Sequence, residues 1–228
     1  MNPYWQHFLE HLPWFLDRGE IPRVGTPEPP GSWTPHSADF GRLFPDLLPL
    51  LRSAIVTPVF VRGLDCRLFT WPSHEGWRSW LSPLPCPDPP ASLFRDHQVL
   101  LRSFGGIVER ANETCWWVLN HNDALTEREA RHDGTFIEAA CGISLGIAIE
   151  LDQFYSIARE VNGNTTLCDR RDGAVVLFAQ DHAFDHVERY PGCSEYTLYR
   201  LPEAPTFSDW VNVVARQWRQ TIDSRPTA

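Results

Sequence analysis

The chain has 228 residues, 43% hydrophobic and 21% charged, and a chain of this size can bury about 70% of its surface in a core of its own. That composition excludes a disordered or fibrous protein, and apolar runs as short as Ile147-Ala148-Ile149 exclude a membrane span. The formal charge is −9, every basic residue is arginine, and no run is longer than Arg170-Arg171, which excludes phosphate-driven binding of nucleic acid.

In chain order, Asn2 is placed to cap a helix with Pro3 in its first turn, and Tyr4, Trp5, Phe8, Leu9 and Leu12 fall on one stripe. Pro13 limits that helix and Gly19 closes the segment. Residues 20–38, rich in Pro and Gly, read as loop, followed by a short apolar helix around Leu47–Leu51. Val59–Arg62 and Arg67–Trp71, joined through Gly63-Leu64-Asp65, read as a hairpin, and Trp77 and Trp80 fall in an irregular stretch. The tract Pro83-Leu84-Pro85-Cys86-Pro87-Asp88-Pro89-Pro90 predicts a stiff extended connector, because proline has no N–H and restricts its predecessor.

Beyond the connector, a helix from Ser92 to Ser103 is expected to stop at Gly105-Gly106. Ile107–Glu109 and Cys115–Leu119 read as strands, with Trp116 and Trp117 pointing to opposite faces. Thr126 is expected to cap a polar helix with Glu129 in the capping-box position, and Asp133–Cys141 reads as another helix. A meander follows: Phe154–Ala158, a turn at Asn162-Gly163-Asn164, Thr165–Cys168, a turn at Asp169–Gly173, Ala174–Phe178 and Tyr196–Arg200. Thr206 or Ser208 caps a final helix with Phe207, Trp210, Val211, Val214 and Trp218 on one stripe. This order predicts an α+β fold with a mostly antiparallel sheet flanked by helices.

Composition divides the chain near residue 90. Sixteen of twenty prolines and six of ten tryptophans lie before it, and residues 1–95 carry a net charge of −1 against −8 for residues 96–228. The expected organisation is a Pro/Trp-rich N-terminal segment (1–91) packed on the main domain, a domain over 92–220, and a tail at 221–228. Cys66, Cys86, Cys115, Cys141, Cys168 and Cys193 form no CxxC pair, so reduced, mostly buried thiols are expected. The first residues carry neither a basic n-region nor a leucine-rich h-region, which predicts a cytoplasmic protein.

Residues 92–220 resemble the SUKH superfamily, the family of the fungal regulator Smi1/Knr4 and of many bacterial immunity proteins. The resemblance is carried by the helix leading into Leu101-Arg102-Ser103-Phe104-Gly105-Gly106 and by Cys115-Trp116-Trp117-Val118-Leu119-Asn120. It continues through Phe154-Tyr155-Ser156-Ile157-Ala158, Val161-Asn162-Gly163-Asn164, Asp169–Phe178 and Phe207-Ser208-Asp209-Trp210-Val211. Residues 1–90 and the insert Thr126–Leu151 are longer than the family pattern. The resemblance implies binding without catalysis: neutralisation of a secreted toxin such as a nuclease, in the cytoplasm, with no cofactor, or a regulatory scaffold role. An acidic exterior suits a basic toxin domain, whose capture it accelerates. The acids Asp123, Glu127, Glu129 and Asp133, beside the Asn-rich loop Asn120–Asp123, are the expected partner-binding patch. The aromatic first 90 residues are the other candidate for partner recognition.

Two clusters could carry chemistry. His182 and His186 at i, i+4 with Asp185 could hold a metal in a hydrolase, although no Glu follows His182 as a zincin requires. Asn120-His121-Asn122-Asp123 with His132 has some of the parts of a ββα metal nuclease but lacks a basic surface to hold DNA. There is no GxSxG, no GxGxxG and no phosphate-cradling glycine loop.

Overall fold

The computed structural model describes residues 2–111, 123–135, 150–160, 162–180 and 186–223. The fold is α+β, as the order of elements predicts, but it holds two antiparallel sheets where one was expected.

Helix α1 (Pro3–His11) begins as the sequence dictates. The Asn2 side chain accepts from the N–H groups of Tyr4 and Trp5 at 3.0 and 3.1 Å, and Pro3 costs the first turn no hydrogen bond. Pro13 follows two residues after its end. The loop beyond is tied to the first sheet by β1 (Arg23–Val24) and by a bridge from Glu28 to Val56. Helix α2 (Ala38–Leu43), capped by the Ser37 hydroxyl, precedes α3 (Leu47–Ser53).

The expected hairpin is present and longer than predicted. β2 (Ile55–Val61) and β3 (Leu64–Ser73) pair from Val61↔Leu64 to Ile55↔Thr70. Arg62 and Gly63 form its two-residue turn with φ of 53° and 75°, the left-handed pair that a type I′ turn requires. Trp77 and Trp80 are not in an irregular stretch: they lie on β4 (Gly76–Pro83), a central strand of this sheet. The chain then runs through the proline connector, which is pinned at its start by Leu84 N–H to Asp65 and Cys86 N–H to Leu101. Helix α4 (Arg95–Leu101) comes next, shorter than predicted: it ends at an Arg102 cap, ahead of Gly105-Gly106, where Gly106 takes φ +85°. After it, β5 (Glu109–Ala111) pairs with β4, giving the order β1-β2-β3-β4-β5. The first sheet therefore takes its last strand from beyond the connector.

The second sheet has the order β10-β11-β9-β8-β7-β6. Its members are β6 (Asp123–Ala124), β7 (Phe154–Arg159), β8 (Thr165–Asp169), β9 (Val175–Phe178), β10 (Glu188–Arg189) and β11 (Leu198–Arg200). A backbone bridge between Ile107 and Ala124 links the two sheets. The turn residues act as read. Asn162 accepts from the Asn164 N–H at 3.1 Å, and Asp169 accepts from the Arg171 N–H at 2.7 Å, with Gly173 at φ +76°. Helix α5 (Phe207–Asp223) opens on Thr206, whose hydroxyl accepts from the Asp209 N–H and donates to its carboxylate. No helix among the described residues is long and apolar enough to cross a membrane.

One large apolar cluster joins α2, α3, α4 and α5 to the inner faces of both sheets. At its centre Trp71, Trp80 and Trp218 stand with ring centroids 5.0–6.0 Å apart, and Trp71 donates to the Leu50 carbonyl at 2.9 Å. The predicted α5 stripe lies here, with Phe207, Trp210, Val211, Val214 and Trp218 all buried. A second cluster sits on the outer face of the first sheet, where Trp5, Phe8, Leu12 and Phe15 cover Val59, Val61, Cys66, Leu68 and Leu81. A third backs the second sheet with Phe154, Leu167, Val176, Phe178 and Leu198. Of the cysteines, Cys66, Cys168 and Cys193 are buried free thiols and Cys86 is a half-buried one, while Cys115 and Cys141 lie outside the described residues. Trp116 and Trp117 also lie outside them.

Candidate partner-binding site

The four acids expected to form a partner patch do not act alike. Thr126 caps a single 3₁₀ turn, Glu129–Arg131, not a polar helix, and its hydroxyl accepts from the Glu129 N–H at 3.0 Å. That turn points Glu129 inward, and its residue is only 4% exposed. The carboxylate accepts from the Ser156 hydroxyl and pairs with Arg159 at 3.1 Å, so Glu129 is a buried anchor between the turn and β7 and not a surface contact. Asp123 accepts from the Thr126 hydroxyl at 2.9 Å and pairs with Arg128. Glu127 pairs with Arg131 at 2.8 Å, one helical turn on. Two of the expected acids are thus matched by arginines of the same turn. Asp133 is exposed and receives the Thr135 N–H at 3.1 Å.

Carboxylates without such partners gather elsewhere. A cleft of about 620 Å³ opens on the outer side of the second sheet. Its floor carries Phe154, Val176 and Tyr190, and Pro202 and Pro205 form one wall. Asp169, buried at the end of β8, receives Nε and Nη2 of Arg171 at 3.2 and 2.7 Å. Burial alone would raise its pKa, but the bonds from Arg171 and the turn N–H groups outweigh it and hold the carboxyl below its usual range. Arg200 lies over the Tyr190 ring, 5.0 Å from its centroid. Glu150, Asp172 and Glu188 line the cleft, are exposed, and have no ion-pair partner among the described residues.

Most of the residues proposed for chemistry lie outside the described ones. His182 and Asp185 lie outside the described residues, as do Asn120, His121 and Asn122. His186 is exposed, with φ of 69°, and its Nδ1 is 3.7 Å from Glu203. Among the described residues no three His, Cys, Asp or Glu side chains come together to hold a metal ion.

One constellation has the residue types of an active site. His97 on α4, Tyr155 on β7 and Cys168 on β8 are each fully buried. Nε2 of His97 donates to the Leu125 carbonyl at 3.0 Å, which leaves Nδ1 to accept from the Tyr155 hydroxyl at 3.2 Å. Burial holds the imidazole pKa down at about 4 and pushes the Cys168 thiol up to about 12. At neutral pH the histidine is uncharged and the thiol protonated, with no solvent contact for a substrate to use. The three residues hold the helix layer to the second sheet.

Comparison with known proteins finds no matching family model, no matching curated protein and no matching solved structure. The cleft therefore rests on its own geometry. Its residues come from the end of β7's lead-in, the β8–β9 turn, β10 and the segment after β11. Sequence reasoning placed the Asp169–Gly173 turn and so located two of its acids. Nothing local marked Glu150, Glu188, Tyr190 or Arg200 as their neighbours.

Proposed function

We propose that this chain is a non-catalytic protein-binding protein of the SUKH kind, an immunity protein that neutralises a secreted toxin with a basic surface, such as a nuclease. In this reading it works in the cytoplasm, needs no cofactor, and engages no nucleic acid or membrane. The order α4, β7, β8, β9 and α5, with its turns at 162–164 and 169–173, supports the family reading. The observation that carries the binding role is the cleft on the second sheet. Three exposed carboxylates with no ion-pair partner among the described residues line it, which suits the arginine and lysine side chains of a phosphate-binding protein.

The test uses the purified chain and whichever secreted proteins are encoded beside its gene. Tight binding is expected, with an association rate that falls as salt rises. The triple variant Glu150→Arg, Asp172→Arg, Glu188→Arg should slow association at low salt at least tenfold, while Glu127→Arg should change it little. Binding unaffected by the triple variant would remove the cleft from the interface. Absence of binding to any neighbouring toxin would favour the regulatory scaffold reading.

A further inference from the structure

Helix α1 is joined to the first sheet by more than apolar contact. Nε2 of His7 accepts the backbone N–H of Trp77 at 3.4 Å, at the start of β4. The ring lies against the turn glycine, since a Cβ on Gly76 would come within 2.8 Å of Nε2. An accepting Nε2 puts the proton of the neutral ring on Nδ1, which is buried without a hydrogen-bond partner among the described residues. The His11 ring lies against His7, tilted by 30° with centroids 4.4 Å apart, and bonds to the His7 carbonyl at 2.9 Å.

From this geometry we infer that α1 is a proton-sensitive cover on the outer face of the first sheet, latched by neutral His7. A second proton on His7 must sit on Nε2, facing the N–H of Trp77 donor to donor. It also places a cation against the His11 ring. The other charged groups do not cancel this. Glu10 on α1 favours the cation, while burial and His11 oppose it more strongly, so the His7 pKa lies below its ordinary value. At the β3–β4 turn Glu75 is engaged by Arg78 at 3.0 Å and by His74 at 3.4 Å. β5, the other strand α1 packs on, contributes Glu109 and Arg110, one of each sign. Opening would uncover Val59, Val61, Leu68 and Leu81.

Hydrogen exchange of the full chain tests this, with rates corrected for intrinsic pH dependence, at pH 7.5 and pH 5.5. Each unit by which the closed-state pKa lies below 6.5 raises the open fraction about tenfold once pH is below both values. Amides of Phe8–Leu12 and Trp77 should therefore lose protection several-fold on acidification, and faster exchange there than in β8 and β9 at both pH values marks the opening as local. His7→Gln, whose carbonyl can accept the Trp77 N–H at every pH, should remove that loss from the same amides. His7→Lys should show the loss already at pH 7.5. Protection of these amides that is the same at both pH values, or a loss of the same size in His7→Gln, would overturn the inference.

Discussion

The Tyr155 hydroxyl donates to Nδ1 of His97 across 3.2 Å, joining β7 to a helix 58 residues earlier in the chain. With Nε2 on the Leu125 carbonyl, the imidazole ties α4, β7 and the turn after β6 at one point. Phe207 stacks on its other side, 4.7 Å away. Tyr155→Phe keeps the packing and leaves Nδ1 a buried acceptor without its donor. The expected loss is about 1–3 kcal/mol, read from urea unfolding at pH 7.5. An unchanged midpoint would show that this bond contributes nothing to stability.

The same histidine makes stability depend on pH. Its pKa is about 4 in the folded protein against 6.5 in the unfolded chain, so below 6.5 the unfolded state binds the additional proton. The stability is fully present above pH 6.5 and is lost as pH falls toward 4. Between pH 6.5 and 5 the loss is about 1.5 kcal/mol, with a slope that steepens toward about 1.4 kcal/mol per unit. His97→Gln, although less stable, should show a shallower slope over that interval. A slope equal to that of the parent would assign the pH dependence to other groups.

Glu129 is expected to behave as an interior residue. Glu129→Leu removes the acceptor of Ser156 and the partner of Arg159, and should cost about 1–3 kcal/mol. Glu127→Leu, which loses only an exposed pair with Arg131, should cost under about 1 kcal/mol. Thermal unfolding of the two variants side by side separates them, and equal costs would contradict the burial of Glu129.

Two glycines test how closely the chain passes itself after α4. A Cβ on Gly105 would lie 2.1 Å from the Pro83 carbonyl oxygen, and one on Gly106 2.6 Å from that of Ala124. Both neighbours are backbone atoms that cannot step aside. Gly105→Ala should cost more than about 2 kcal/mol or prevent folding. Gly163→Ala has a positive φ of 93° but open space around it, and should cost about 1 kcal/mol. Similar stability for the two variants would refute the close passage.

How much could be read from residues alone follows from where each signal resides. The Asn2 and Thr206 caps, the Asn162–Asn164 and Asp169–Gly173 turns and the α5 stripe are local features, and all are present. β4 escaped because α1 covers one of its faces and the helix layer the other. Arg78 through Ser82 are all buried, so the alternation that marks a half-exposed strand is missing. α2 is six residues long with Gly41 inside it, too short for a period to show. The Thr126–Glu129 signature marked a real cap, but the fate of the Glu129 side chain depends on Ser156 and Arg159, far along the chain. The cleft was unreadable for the same reason: its acids meet only through pairing of the second sheet.

The place of β5 has a consequence for synthesis. Trp80 pairs with Phe69 on one side, but its neighbour on the other, Arg110, lies on the far side of the proline connector. α5 supplies Trp218 to the same aromatic centre from near the end of the chain. A nascent polypeptide halted at residue 91 would display an unfinished sheet edge and an uncovered tryptophan pair to solvent or to a chaperone. Productive folding must wait for translation to deliver its closing helix.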